Sequence, residues 1–210
     1  MITGVRHVWF DLAGTLYKET TEFNEVHDHF RYSTYAQVAS IEDSEQAKAE
    51  FLDMYKKYGS NSAVFRSLGK PSDFWMKALD DMDFTAVLEP DVEVIETLEQ
   101  LKDTLPISLF TNFHRERIDE LLEHLQITPE WFSHILTGDD IAERKPALDG
   151  FHEMIKRSEL PPDSLLYVGD RVDVDIKPAK LAGMQTCLVY AESDKADYCV
   201  QNFSDLLTIK

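Results

Sequence analysis

Basic residues are scarce in this chain. Twenty-one lysines and arginines stand against 39 aspartates and glutamates, a formal charge of −18 over 210 residues. A field of that sign repels phosphate backbones and anionic lipid headgroups, so neither nucleic acid nor a membrane surface is expected as a partner. A small phosphorylated ligand is still compatible, because one lysine and one divalent cation can reverse the sign inside a single cleft. Cysteine is almost missing: Cys187 lies in an apolar run and Cys199 near the C-terminus, without the paired spacing of a zinc or redox motif. Both are expected as reduced thiols. No apolar run approaches the length of a membrane span, and the first residues lack the basic region and apolar block of a signal peptide. The expectation is a soluble cytoplasmic protein, monomer or homodimer.

What the chain does have is enough apolar content, 43%, for one good core and a modest insertion. An α/β pattern opens at Val5 to Phe10, the first predicted strand, and then breaks off. From about residue 18 to 85 the periodicity is helical throughout: Phe23, Val26 and Phe30, then Ala47, Phe51, Met54, Tyr55 and Tyr58, then Phe74, Trp75, Leu79 and Met82. Gly59-Ser60-Asn61-Ser62 and Gly69-Lys70-Pro71-Ser72 read as the breaks between these helices. From Glu89 strands and helices alternate. Strands are predicted at Ile107 to Phe110, Ile135-Leu136, Leu165 to Val168 and Thr186 to Tyr190, with a helix from Asp175 to Ala182 and a last turn capped by Ser204. The fold class is therefore α/β, a doubly wound parallel sheet built from residues 1–17 and 86–210, with residues 18–85 inserted as a small all-helical subdomain.

The chemistry collects at predicted strand ends. Val8-Trp9-Phe10 delivers Asp11 into Leu12-Ala13-Gly14-Thr15, Ile107 to Phe110 runs into Thr111-Asn112, Lys145 stands between Arg144 and Pro146, and Leu165 to Val168 runs into Gly169-Asp170, with Asp175 beyond. A parallel sheet gathers such ends along one edge. The set, in this order, resembles the four motifs of the haloacid dehalogenase-like hydrolase superfamily from Val5 to about Tyr190, with the helical insertion placed like that family's C1 cap. The resemblance implies Asp11 as nucleophile and Thr111, Asn112 and Lys145 on the transferring phosphoryl group. It implies a Mg²⁺ ion on Asp11, Asp170, Asp175 and the backbone carbonyl of Ala13. Asp173 is read as a solvated loop residue, and His27 and His29, an i, i+2 pair, as unsuited to a shared metal.

One position departs from the family pattern. Its phosphatases carry a second acid two residues after the nucleophile, and here that residue is Ala13. General acid-base help of this kind is worth roughly 10²- to 10⁴-fold in rate. Three readings follow: a phosphatase slowed by the alanine, natural or introduced; a degenerate protein that binds phosphate ligands; or a phosphonoacetaldehyde hydrolase-like enzyme, a group that also has alanine here. The last needs a cap lysine for a Schiff base, with Lys48, Lys56 and Lys57 as candidates. The phosphatase acting on a small phosphorylated metabolite ranks first and dehalogenation last, since that branch does not need the metal acids kept as Asp170 and Asp175.

Overall fold

The computed structural model describes residues 2–209. Six parallel strands form one sheet: β1 (His7–Phe10), β2 (Ile107–Phe110), β3 (Phe132–Leu136), β4 (Leu165–Gly169), β5 (Gln185–Val189) and β6 (Tyr198–Val200), in the order β3-β2-β1-β4-β5-β6. This is the doubly wound α/β arrangement. β1 lies between β2 and β4, where the direction of winding reverses, and a ligand crevice belongs at that switch point. All four β1 residues are buried, as an apolar strand flanked on both sides by partners requires. Trp9 packs on one face with Phe110, Phe151, Met154 and Tyr167, and Phe10 on the other against Phe203.

The connecting helices of this unit are α5 (Val92–Lys102), α6 (Arg115–His124), α7 (Asp149–Ser158) and α8 (Lys177–Leu181), numbered after four that precede them. Those four, α1 (Thr21–Ala39), α2 (Ser44–Tyr58), α3 (Asn61–Ser67) and α4 (Phe74–Asp80), form a second compact unit, Glu19–Leu88. Three of them start on a side-chain cap: Thr20, Asp43 and Ser60 accept the N–H of Phe23, Gln46 and Ala63. Its core is aromatic, with Phe51, Phe65 and Trp75 buried and the Phe65 and Trp75 rings stacked at 5.4 Å. Among the described residues no helix is long and apolar enough to cross a membrane.

Several local expectations need correction. The break read at Gly59-Ser60-Asn61-Ser62 is shorter than expected: Gly59 ends α2 in the left-handed region, Ser60 caps α3 at once, and Asn61 and Ser62 already belong to that unexpected helix. Strand β6 was not expected. The last turn spans Phe203–Thr208 and is entered through Asn202, whose N–H meets Asp205, while the Ser204 hydroxyl donates to Glu93. Asp175 sits inside a wide π-type turn, Val172–Ile176, and does not begin α8.

A buried histidine, His7, and a half-buried one, His27, give the fold an acid sensitivity. His7 stacks on Trp9 and His134 with its Nε2 2.8 Å from Ser108 Oγ, and burial, helped by His134, lowers its pKa from 6.5 to about 4. Burial, helped by Arg31, lowers His27 to about 4 in the helical unit. Between those values the unfolded chain binds protons that the folded chain refuses, so stability falls as pH falls through that window. Each histidine is expected to cost about 2 kcal/mol between pH 7 and pH 5. Urea melts at the two pH values measure this, and His7→Phe should flatten the slope for the sheet unit.

Candidate active site

Asp11 follows directly on β1. Its backbone N–H bonds the Val168 carbonyl of β4 at 2.9 Å, and the chain then turns tightly, with Thr15 and Leu16 both donating to the Leu12 carbonyl. Gly14 makes the turn possible. Its φ is +76°, and a methyl group there would lie 2.4 Å from Asp170 Oδ2. Asp170 leaves the end of β4, and Gly169 before it leaves room for Asp175, whose Cβ would otherwise meet a side chain at 2.6 Å. The two glycines therefore let three carboxylates crowd together: Asp11, Asp170 and Asp175 each offer an oxygen within 4.8 Å of the others.

Lys145 reaches into this cluster from the segment before α7. Its Nζ lies 2.5 Å from Asp11 Oδ1, 2.8 Å from Asp175 Oδ1, 2.8 Å from the Tyr167 hydroxyl and 3.4 Å from the Phe110 carbonyl. Asp11 and Lys145 are each only 7% exposed and Asp175 1%. Burial pushes Asp11 up to about 6 against the pull of Lys145, with Asp175 adding to the rise. Burial alone would lower Lys145, but Asp11 and Asp175 outweigh it and hold the ammonium above its ordinary range. Asp11, Asp170 and Asp175 thus bring hard carboxylate oxygens together beside one ammonium, and a donor set of that kind suits a divalent cation.

The second-motif residues divide their work. Thr111 is buried at the end of β2, and its hydroxyl accepts the Phe113 N–H at 3.3 Å. Asn112, expected on the phosphoryl oxygens, has its amide spanning the lysine's own backbone: its carbonyl accepts Lys145 N–H at 2.8 Å and its NH₂ donates to the Lys145 carbonyl at 3.1 Å. It braces the lysine. Arg144 Nε in turn donates to the Asn112 backbone carbonyl at 3.1 Å and its Nη2 lies 3.3 Å from His114, which meets Asp139 at 2.6 Å. Arg144 and His114 thus extend the brace. Ala13, two residues after Asp11, is partly buried and pairs with Tyr17 through a single backbone bridge. Asp173 is exposed, paired with Lys177 at 2.5 Å.

Tyr167 was missed by sequence reasoning. In Leu-Leu-Tyr-Val it reads as one more core aromatic, yet its hydroxyl contacts both Lys145 and Asp175. The usable signal is its place in the strand, two residues before Gly169 and so on the face that Gly169 opens.

The chain as a whole is similar to known proteins. A glyceraldehyde 3-phosphate phosphatase of Methanocaldococcus jannaschii is 29% identical over 98% of this chain and 96% of its own length. A phosphoglycolate phosphatase of Escherichia coli K12 is 33% identical over 54% of this chain and 48% of its own length. Among solved structures, an HAD phosphatase from Thermococcus onnurineus superposes with a TM-score of 0.72 at 22% identity, covering 96% of each chain, which speaks for the fold. The family model described as haloacid dehalogenase-like hydrolase matches residues 8–189, and the chain belongs to that family of hydrolases.

Proposed function

We propose that the chain is a Mg²⁺-dependent phosphohydrolase of small phosphorylated metabolites that works through an aspartyl-phosphate on Asp11 and turns over slowly because Ala13 carries no acid. The observation that supports this best is the clustering of Asp11, Asp170 and Asp175, whose carboxylate oxygens lie within 4.8 Å of one another, with Lys145 bonded to two of them. Bound there by these three acids, Mg²⁺ would neutralise phosphoryl oxygens as a Lewis acid. The relatives named for glyceraldehyde 3-phosphate and phosphoglycolate agree with a small phosphate ester as substrate.

In this reading an Asp11 carboxylate oxygen attacks phosphorus and the ester P–O bond breaks. Lys145 offsets charge on both the nucleophile and the phosphoryl group, and the Thr111 hydroxyl donates to a phosphoryl oxygen. The leaving alkoxide takes its proton from water. A second water then cleaves the acyl phosphate, releasing inorganic phosphate and restoring Asp11, with no side chain at position 13 to take the proton. Both steps slow, but the second has no help from a good leaving alcohol. The helical unit serves here as the substrate-selecting cap. Phosphonate cleavage finds less support: its lysine must be desolvated to act as a neutral amine, whereas Lys48, Lys56 and Lys57 are all exposed.

A pre-steady-state assay with p-nitrophenyl phosphate tests the proposal. A stoichiometric burst of nitrophenol followed by slow turnover is expected with Mg²⁺, and both should vanish in Asp11→Asn or with chelator. Vanadate binding without any burst would turn the assignment to a phosphate-binding protein that has lost its chemistry.

A further inference from the structure

We infer that Tyr167 is a positioning residue that bonds both Lys145 and Asp175 and holds the Asp175 carboxylate in place for the divalent cation. The inference rests on the reading above only for the identity of that cation.

The phenol is completely buried, and its ring is fixed edge-on by Phe151 at 5.2 Å and Phe110 at 6.4 Å. Its hydroxyl is 2.8 Å from Lys145 Nζ and 3.2 Å from Asp175 Oδ1. An ammonium has only protons to give, so the hydroxyl accepts from Lys145, and its single proton must go to Asp175. The direction of the bond is thereby set.

Lone pairs then decide what Asp175 can still do. Oδ1 receives Lys145 at 2.8 Å and Tyr167 at 3.2 Å, which fills it. Oδ2 receives the Arg171 backbone N–H at 3.2 Å and keeps one lone pair. That lone pair is the one left for a cation, and its direction is fixed because both ends of the carboxylate are tied. Without the phenol, Oδ1 would be held by Lys145 alone, which is also drawn to Asp11 at 2.5 Å. Asp175 would then be free to rotate, while the lysine keeps its bond to Asp11. Groups that orient a ligand in this way commonly carry 10- to 100-fold in metal affinity.

Tyr167→Phe keeps the ring and removes only the hydroxyl. Titration calorimetry with Mg²⁺ on the full chain is expected to show about tenfold weaker binding, while vanadate affinity at saturating Mg²⁺ stays within about twofold of the parent, consistent with an intact lysine and nucleophile. A crystal structure of the metal-free variant should show the Asp175 carboxylate turned away from the Arg171 N–H. Tyr167→Met, which also lacks the hydroxyl, should match the phenylalanine variant in Mg²⁺ affinity if either is hard to fold. Unchanged Mg²⁺ affinity together with an unmoved Asp175 would reduce Tyr167 to a core aromatic. Should the parent chain bind no divalent cation, the Mg²⁺ assignment falls, and the position of Asp175 in the two crystal structures alone decides the role of the tyrosine.

Discussion

Ala13→Asp is expected to raise steady-state turnover of an unactivated alkyl phosphate by about 10²- to 10⁴-fold, the usual worth of a positioned general acid-base. The gain should appear in kcat, with KM little changed, because Lys145, Thr111 and the metal acids that would bind the ester are already in place. It should be smaller for p-nitrophenyl phosphate, whose leaving group needs no proton, and the pre-steady-state burst should shrink as acyl-phosphate cleavage catches up. The new carboxylate also adds a fourth negative charge beside Asp11, Asp170 and Asp175. The variant should therefore melt lower than the parent without Mg²⁺ and regain the difference with it. Steady-state kinetics on a panel of alkyl phosphates, with melting curves alongside, measure both effects. No gain on any substrate would mean that the alanine is not what limits the chain.

Lys145→Met carries the largest expected loss of stability. The ammonium is the one cation bonded to both Asp11 and Asp175 among the described residues, and removing one partner of a buried ion pair costs about 3–5 kcal/mol. For a chain of this length that is a fall in Tm of about 10 °C. The sign of the pH dependence follows from Asp11. Burial already pushes its pKa up to about 6 with the lysine present, and without it the folded state takes up a proton still more readily. The deficit should be largest at pH 8 and shrink on acidification toward pH 6, and Mg²⁺ should recover part of it at either pH. Thermal melts at the two pH values, with and without the ion, test this. A melting point that does not move would mean that the lysine's charge is balanced elsewhere.

The outline of this architecture was legible because apolar strands ending in acids are hard to mistake. Val8-Trp9-Phe10 before Asp11 and Leu165 to Val168 before Gly169-Asp170 are written by burial on both faces, and that pattern survives in a single sequence. β6 left no such trace: Tyr198, Cys199 and Val200 are half-buried or exposed, and the strand exists through backbone pairing to β5. The break between helices at Gly59-Ser60 was legible, but α3 was hidden because its seven residues are too few to show a helical period. At the site, residue type revealed which groups could react but not which atoms they would spend on each other. Asn112, read as a ligand donor, also has its side-chain amide across the Lys145 backbone, a bond that residue type does not announce. Tyr167 looks like packing until its hydroxyl is placed.

The Lys18–Asp91 ion pair, 3.0 Å long, joins the points where the chain leaves the sheet unit and returns to it. With both stems fastened at their base, the length of the excursion between them enters the free energy only logarithmically, so doubling it would cost about 0.6 kcal/mol. A helical insert of another length can thus be exchanged at these stems at little cost to the sheet unit that carries them.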